Sequence, residues 1–425
     1  MKHLVFWVLI TISLASLHAQ DHTLEYFIAR SERNFPNLKN NKNLQKIGEI
    51  QRRVILAQHS AFHISASSEV LVAPYFNNNG QFMDISTNPS PDAYGYDVGI
   101  TNGGLYSAQL NIAKNIFNGN RVDNLLFQNR LKNDSLDLSY KEILHQLNKN
   151  VTDTYIMAYQ LQSLEDFTKK MKMDLEKRMK VIALLVKKGL LSESDYLLVQ
   201  LNVDSKTSEI RQIHTDFKAT MTQLYNLCGI PTEPEKRLAT PEMEYQTDAS
   251  EFFYQKRFKN DSLQVMANRQ IFENQYKPIV GIYGNTGLNA VTLNNLPHYF
   301  GLSAGLRLTI PIYDGNQRKY NALQSKLKYE SLEEYRKNSK IQLDNNLENI
   351  LAQIQSLEEN LGLLETQLNN QQKILEIFKG KLVYGQVSII DYLNVLQNYK
   401  LRVYTQLQMQ TNLWLLQNQY NFVNW

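Results

Sequence analysis

Several groups of residues in this sequence have types and spacings that chemistry could use. Gly301-Leu302-Ser303-Ala304-Gly305 fits the G-x-S-x-G pattern of a hydrolase nucleophile. That chemistry needs a sharp strand-to-helix turn to lift the serine clear of its sheet. Here an alternation of apolar and polar residues runs straight through the motif, so Ser303 is expected mid-strand on a polar face and not as a nucleophile. His59 and His63 stand four apart and on one helix would share a face. Neither the Glu of H-E-x-x-H nor a third ligand accompanies them, so no metal site is expected. Cys228 is the one cysteine, which excludes an internal disulfide and a Cys/His metal framework. With Leu227 and Ile230 beside it, it reads as a small core hydrophobe. No glycine loop of the phosphate-binding kind is present, and no catalytic residue or cofactor is expected. Asp195 and Asp391 remain. Each follows a glycine by six residues, Gly189 and Gly385. An acid there, in the first turn of a following helix, interacts well with the helix dipole and can cap the helix start.

The elements that must position these residues come from a duplication. Ile116-Phe117-Asn118-Gly119-Asn120 matches Ile312-Tyr313-Asp314-Gly315-Asn316 at an offset of 196 (315 − 119). Downstream, Gly189, Ser192, Asp195, Tyr196 and Leu197 match Gly385, Ser388, Asp391, Tyr392 and Leu393 at the same offset (391 − 195). Two matches that far apart in unbroken register mark a two-fold repeat. Pro231, Pro234 and Pro241 break any helix between the halves. The expected organisation is a signal peptide over 1–19, a first repeat over 20–228, a linker over 229–260 and a second repeat over 261–425.

Phe300, Leu302, Ala304, Leu306, Leu308, Ile310 and Ile312 are all apolar, with Ser303, Arg307 and Thr309 among the residues between. This is a strand with one greasy and one polar face. Tyr106, Ala108, Leu110 and Ile112 echo it in the first half. Upstream partners are expected over Val70–Phe76 and Pro278–Leu288, giving one hairpin per repeat and four strands in all. Four strands cannot close a barrel, so in lipid several chains would have to share one. A soluble half-buried sheet shows the same alternation. The leader and the aromatic residues at strand ends, such as Tyr94, Tyr96 and Tyr299, favour the membrane.

From Gly315 onward there is no proline. Leu343, Leu347, Ile350, Ile354, Leu357, Leu361, Leu364, Leu368, Leu375, Phe378 and Leu382 keep 3-4 spacing, a sustained heptad seam. A helix from Gly315 to Tyr384 would be roughly 105 Å long at 1.5 Å per residue. A second, from Gly119 to Lys188, is expected in the first repeat. Both end at a glycine, and return helices are expected from Ser192 and Ser388, suitable N-caps.

The N-terminus has Lys2 and His3, then the apolar run Leu4–Ile10, then small and polar residues to Ala19. That is the pattern of an export signal, although Leu17 departs from the small residue usual three before the cut. The run is shorter than the ~20 residues of a spanning helix. A formal charge of +4 in 425 residues, with no basic run interleaved with aromatics, gives no reason to expect nucleic acid.

The order of elements, the duplication, Ile310-Pro311-Ile312-Tyr313-Asp314-Gly315 and the two Gly-x-x-Ser-x-x-Asp-Tyr-Leu turns resemble the TolC family of outer-membrane efflux proteins. The resemblance covers nearly all of the mature chain. It implies a mainly α fold with a membrane β-barrel portion, in which a duplicated α/β barrel combines long coiled-coil helices with four strands per protomer. It further implies a homotrimer in outer-membrane lipid, with a twelve-stranded barrel and a periplasmic helical tunnel. A periplasmic adaptor protein and an inner-membrane pump would be its partners. The turns at Gly189, Ser192, Gly385 and Ser388 would be the adaptor-docking tip, and Arg307 would face the barrel lumen. Asp391 falls where the family places the first aspartate of its gate, with Asp195 its counterpart in the first repeat. The next gate position is Asn394, and Leu382 stands at the family's gate tyrosine, two departures from the TolC pattern. A secreted structural coiled coil is the alternative.

Overall fold

The computed structural model describes residues 22–71, 73–86, 89–96, 106–234, 236–244, 252–290 and 293–425. The expected signal peptide lies outside them. The helices and strands, in order, are α1 (Leu24–Asn34), α2 (Pro36–Ser60), β1 (His63–Val70), β2 (Tyr75–Asn78), β3 (Gln81–Asp84), β4 (Tyr106–Phe117), α3 (Arg121–Lys187), α4 (Glu193–Cys228), α5 (Phe253–Glu273), β5 (Ile279–Ala290), β6 (Phe300–Thr309), α6 (Gln317–Val383) and α7 (Ile389–Val423). Helix α5 begins inside the stretch read as a linker.

The duplication holds to the residue in the long helices. α3 and α6 are each 67 residues long, and their first residues, Arg121 and Gln317, are again 196 apart (317 − 121). Both are entered through consecutive left-handed residues, Gly119 (φ 60°) with Asn120 (φ 67°), and Gly315 (φ 66°) with Asn316 (φ 67°). Glycine meets no Cβ penalty there, and asparagine tolerates the conformation best among the rest. This accounts for the Gly-Asn pair that first revealed the repeat.

Two compact units are present, and they cut across the repeats. One holds the chain up to Lys39, Lys141–Phe252 and Lys340–Trp425; the other holds Asn40–Tyr140 and Phe253–Ser339. Each unit therefore takes a part of both repeats.

The second unit contains the main sheet, four antiparallel strands in the order β1-β4-β5-β6. Each repeat contributes two neighbouring strands, and β4 against β5 joins the repeats, with Asn111 opposite Asn285 and Leu110 opposite Thr286. The partner of β4 is His63–Val70 and not the expected Val70–Phe76. Pro74 lacks the donor a ladder needs, whereas Ile64, Ala66 and Val70 align with Ile112, Leu110 and Tyr106. Ser68 had masked that alternation. The stretch from Tyr75 forms instead a separate hairpin, β2–β3.

The first unit is helical. One core is made by Met171, Leu175 and Ile182 of α3, Val199 and Val203 of α4, Leu375 and Leu382 of α6, and Ile389, Tyr392 and Leu396 of α7. A second joins Ile350 and Ile354 of α6 to Leu413 and Tyr420 of α7. These are the apolar seams of the sequence, and packing rather than propensity stabilises such long helices. The segment after α4 is stitched to α3. Gln162 donates to Leu238 O at 3.0 Å and accepts from Leu238 N at 2.8 Å. Cys228 is fully buried, with Sγ 3.3 Å from Phe27 O, and burial pushes its thiol up to about 12.

Candidate functional site

The sheet has two chemically different faces, and the ladder register assigns each residue. One face carries Ile64, Leu110, Ile282, Leu302, Leu306 and Leu308. The other carries a straight row across all four strands, Ser65, Asn111, Asn285 and Ser303. Both faces lie open. On the apolar side Leu302 is 84%, Leu306 73% and Ile64 71% exposed. A soluble sheet would have buried such a face at roughly 25 cal/mol per Å². Arg307 lies on the polar face, its guanidinium 5.4 Å from the centre of the Tyr283 ring. Ser303 sits in uninterrupted β6, opposite Asn285, with no turn to present it as a nucleophile. His59 ends α2 and His63 opens β1, so the two do not share a helix face as their spacing allowed.

In the helical unit, the two expected tip turns are the same structure twice. Gly189 (φ 70°) and Gly385 (φ 65°) close α3 and α6 in the left-handed region. Leu190 N donates to Leu185 O at 2.9 Å and Gln386 N to Lys381 O at 3.0 Å, equivalent bonds across the repeat that satisfy the last carbonyls of each helix. Ser192 and Ser388 then cap α4 and α7. Asp195 completes a capping box, its Oδ2 accepting from Ser192 N at 3.0 Å. Asp391 Oδ2 accepts from Ser388 Oγ at 2.7 Å. Both aspartates are thus tied to helix starts, as a first-turn acid would be. The carboxylate of Asp391 stays exposed, one helical turn from exposed Asn394. Because one cap oxygen serves the first turn, Ser192→Ala should cost about 1 kcal/mol locally. It should appear as faster amide exchange at the start of α4 with little change elsewhere.

Along the helices away from these turns lie two ionic layers that periodicity did not reveal. In the first, Asp174 of α3 meets Lys379 of α6 at 3.2 Å and Tyr392 of α7 at 3.4 Å. Burial and the nearby Asp174 charge raise the Tyr392 phenol. In the second, Glu209 of α4 lies 2.8 Å from both Lys206 and Lys400 and also accepts from Tyr404 of α7. Tyr404 in turn lies 3.0 Å from Thr168 of α3. Burial alone would raise Glu209, but hydrogen bonds from Lys206, Lys400 and Tyr404 outweigh it and hold the carboxyl down at about 2. Lys400 is lowered, because burial and the second lysine outweigh its half share of one carboxylate. One signal was available: Lys206 interrupts the seam Val199, Val203, Ile210, Ile213, Phe217.

Fold and faces together define a class, the TolC-like outer-membrane channel fold. Three solved structures show it. CmeC, an outer membrane channel of Campylobacter jejuni, has a TM-score of 0.72 at 13% identity, covering 94% of this chain and 85% of that one. VceC, an outer membrane protein of Vibrio cholerae, has 0.70 at 12%, covering 94% and 95%. CusC, described with its transmembrane channel formation, has 0.71 at 12%, covering 95% and 91%. At such identities the likeness is one of fold. The family enters through sequence: residues 264–418 match the model of the outer membrane efflux protein family. The resemblance to the TolC family is borne out. No curated protein matches the chain.

Proposed function

We propose that the chain is one protomer of a passive, trimeric exit duct of a tripartite efflux or secretion system, set in the outer membrane with its helices forming a periplasmic tunnel. The observation that carries this reading is the four-stranded sheet, apolar on one face, polar on the other and, among the described residues, covered on neither. Lipid suits the first face and a water-filled lumen the second. β1 and β6 are the edges. Strands alternate in direction, so β6 of one copy can pair antiparallel with β1 of the next. Two copies would give an eight-stranded barrel, whose interior side chains fill. Three give twelve strands and leave a conduit. Among the described residues no helix is long and apolar enough to cross a membrane, and the reading needs none. An adaptor at the Gly189 and Gly385 turns and an inner-membrane pump complete the assembly, which draws its energy from the pump. In this reading Asp391 and Asp195, with Asn394 beside Asp391, form the polar ring of the periplasmic gate, and Arg307 faces the lumen. A secreted structural coiled coil would have no use for a two-faced, uncovered sheet.

The test is conductance of the purified protein in a planar bilayer. Discrete channels are expected, blocked by millimolar divalent cation, with Asp391→Ala weakening the block about tenfold, as loss of one charged ring at a constriction would. Channels with unaltered block would move the gate away from Asp391. Well-folded protein that never inserts would overturn the duct and favour the structural coiled coil.

A further inference from the structure

The duplication supplies an internal control for surface chemistry near the tip. On α3, Lys170, Met173, Lys177, Lys180, Leu184 and Lys187 follow 3-4 spacing, and all six are exposed. They form one continuous stripe, with Met173 53% and Leu184 61% exposed between the lysines. Such spacing is what a partner helix needs to pack knobs into holes. The four lysines take part in no ion pair among the described residues. Their neighbours do: Lys169 with Glu165 at 2.7 Å, Lys172 with Glu176 at 3.5 Å and Arg178 with Asp174 at 3.9 Å. The positions 196 further on, in α6, are equally exposed but read Thr366, Asn369, Lys373, Glu376, Gly380 and Val383. The first row carries four positive charges; in the second, Lys373 and Glu376 cancel. Two faces of one ancestral geometry thus differ in chemistry alone.

A row of like charges three and seven residues apart on one helix destabilises it slightly, and acids placed opposite would relieve that. Two faces of the second repeat offer no such row: the matching face of α6 is neutral, and Asp391 is the only acid in α7. We propose that the α3 stripe of the first repeat docks an acidic amphipathic helix of the periplasmic adaptor, its carboxylates on the four lysines and its apolar residues on Met173 and Leu184. The α6 face does not. This rests on the adaptor reading above and adds to the contacts at the two turns a charged contact along one helix, α3, that its counterpart in α6 does not make.

The experiment uses the full-chain protein in detergent and a labelled synthetic helical peptide with glutamate at the positions facing the lysines, followed by fluorescence anisotropy. Wild type should bind it, more weakly as salt rises. Lys177→Glu/Lys180→Glu should weaken binding by about tenfold or more and accept a lysine version of the peptide instead, since charge pairing sets partner choice at such faces. Thr366→Glu/Lys373→Glu, on the other face, should bind like wild type. Equal binding by wild type and the α3 variant would overturn the proposal. So would binding to phosphatidylglycerol vesicles in place of the peptide, which would assign the stripe to a membrane surface. Dissociation of the α3 variant into monomers would also overturn it, by making the stripe a contact between copies. Conductance of the same samples separates the two levels. Intact channels with no peptide binding remove this proposal and leave the duct standing.

Discussion

Gly287→Ala should prevent the protein from forming its sheet, and assembled, membrane-inserted protein should be nearly lost. Gly287 sits in β5 at φ 148°, a conformation L side chains rarely adopt. A Cβ there would stand 2.2 Å from Ala108 O and 2.8 Å from Gln109 Cα, both backbone of β4. No rotamer change relieves a clash with backbone. Strain at such positions is of order 1–3 kcal/mol before any overlap is counted. The overlap falls on the β4–β5 ladder, which joins the repeats. Gly301, opposite Gly287 on β6, is the control, since a Cβ there meets nothing within 4 Å. Heat-modifiable migration on gels and yield in outer-membrane fractions would check both variants. Normal assembly of Gly287→Ala would mean that β4 and β5 do not pair as described.

Glu209→Gln should destabilise the helical unit by about 3 kcal/mol, the scale of breaking a buried charge pair by removing one partner. Lys206 is 6% exposed and would lose its counter-charge 2.8 Å away. Lys400, lowered already by burial, would lose its share too. The sign of the pH effect follows from Glu209 itself. Its folded carboxyl lies near 2 against an ordinary 4.5. Its stabilisation is therefore complete above 4.5 and drains away as pH falls toward 2. Wild-type thermal midpoints should fall steeply across that window, and those of Glu209→Gln much less. Thermal unfolding in detergent at pH 7 and pH 3 measures both. Parallel curves for the two proteins would remove Glu209 from the acid sensitivity.

The two helix-reversing turns show why part of the candidate site is legible in the sequence and part is not. Gly189, Ser192 and Asp195, with Gly385, Ser388 and Asp391, act through bonds to residues within a few positions of themselves. Their chemistry is therefore written in their spacing. Asp174, Lys379 and Tyr392 are an ordinary acid, base and phenol in three different helices, and nothing local distinguishes them. The first-repeat strand was misplaced for a related reason. His63–Val70 has only weak alternation of its own and is a strand because β4 offers it a ladder.

By itself, then, the sequence determined what is periodic and local. It determined the duplication at 196, the places of the four long helices and the two-faced strands. Those features follow from backbone sterics and side-chain direction, which act over a few residues. Only the tertiary structure decided which strand pairs with β4, that the compact units cut across the repeats, and which charges are buried together. It decided too that, among the described residues, four lysines of α3 form no ion pair while their neighbours do. These depend on distances between residues far apart in the chain, where the energy of a charge is set by what packs around it.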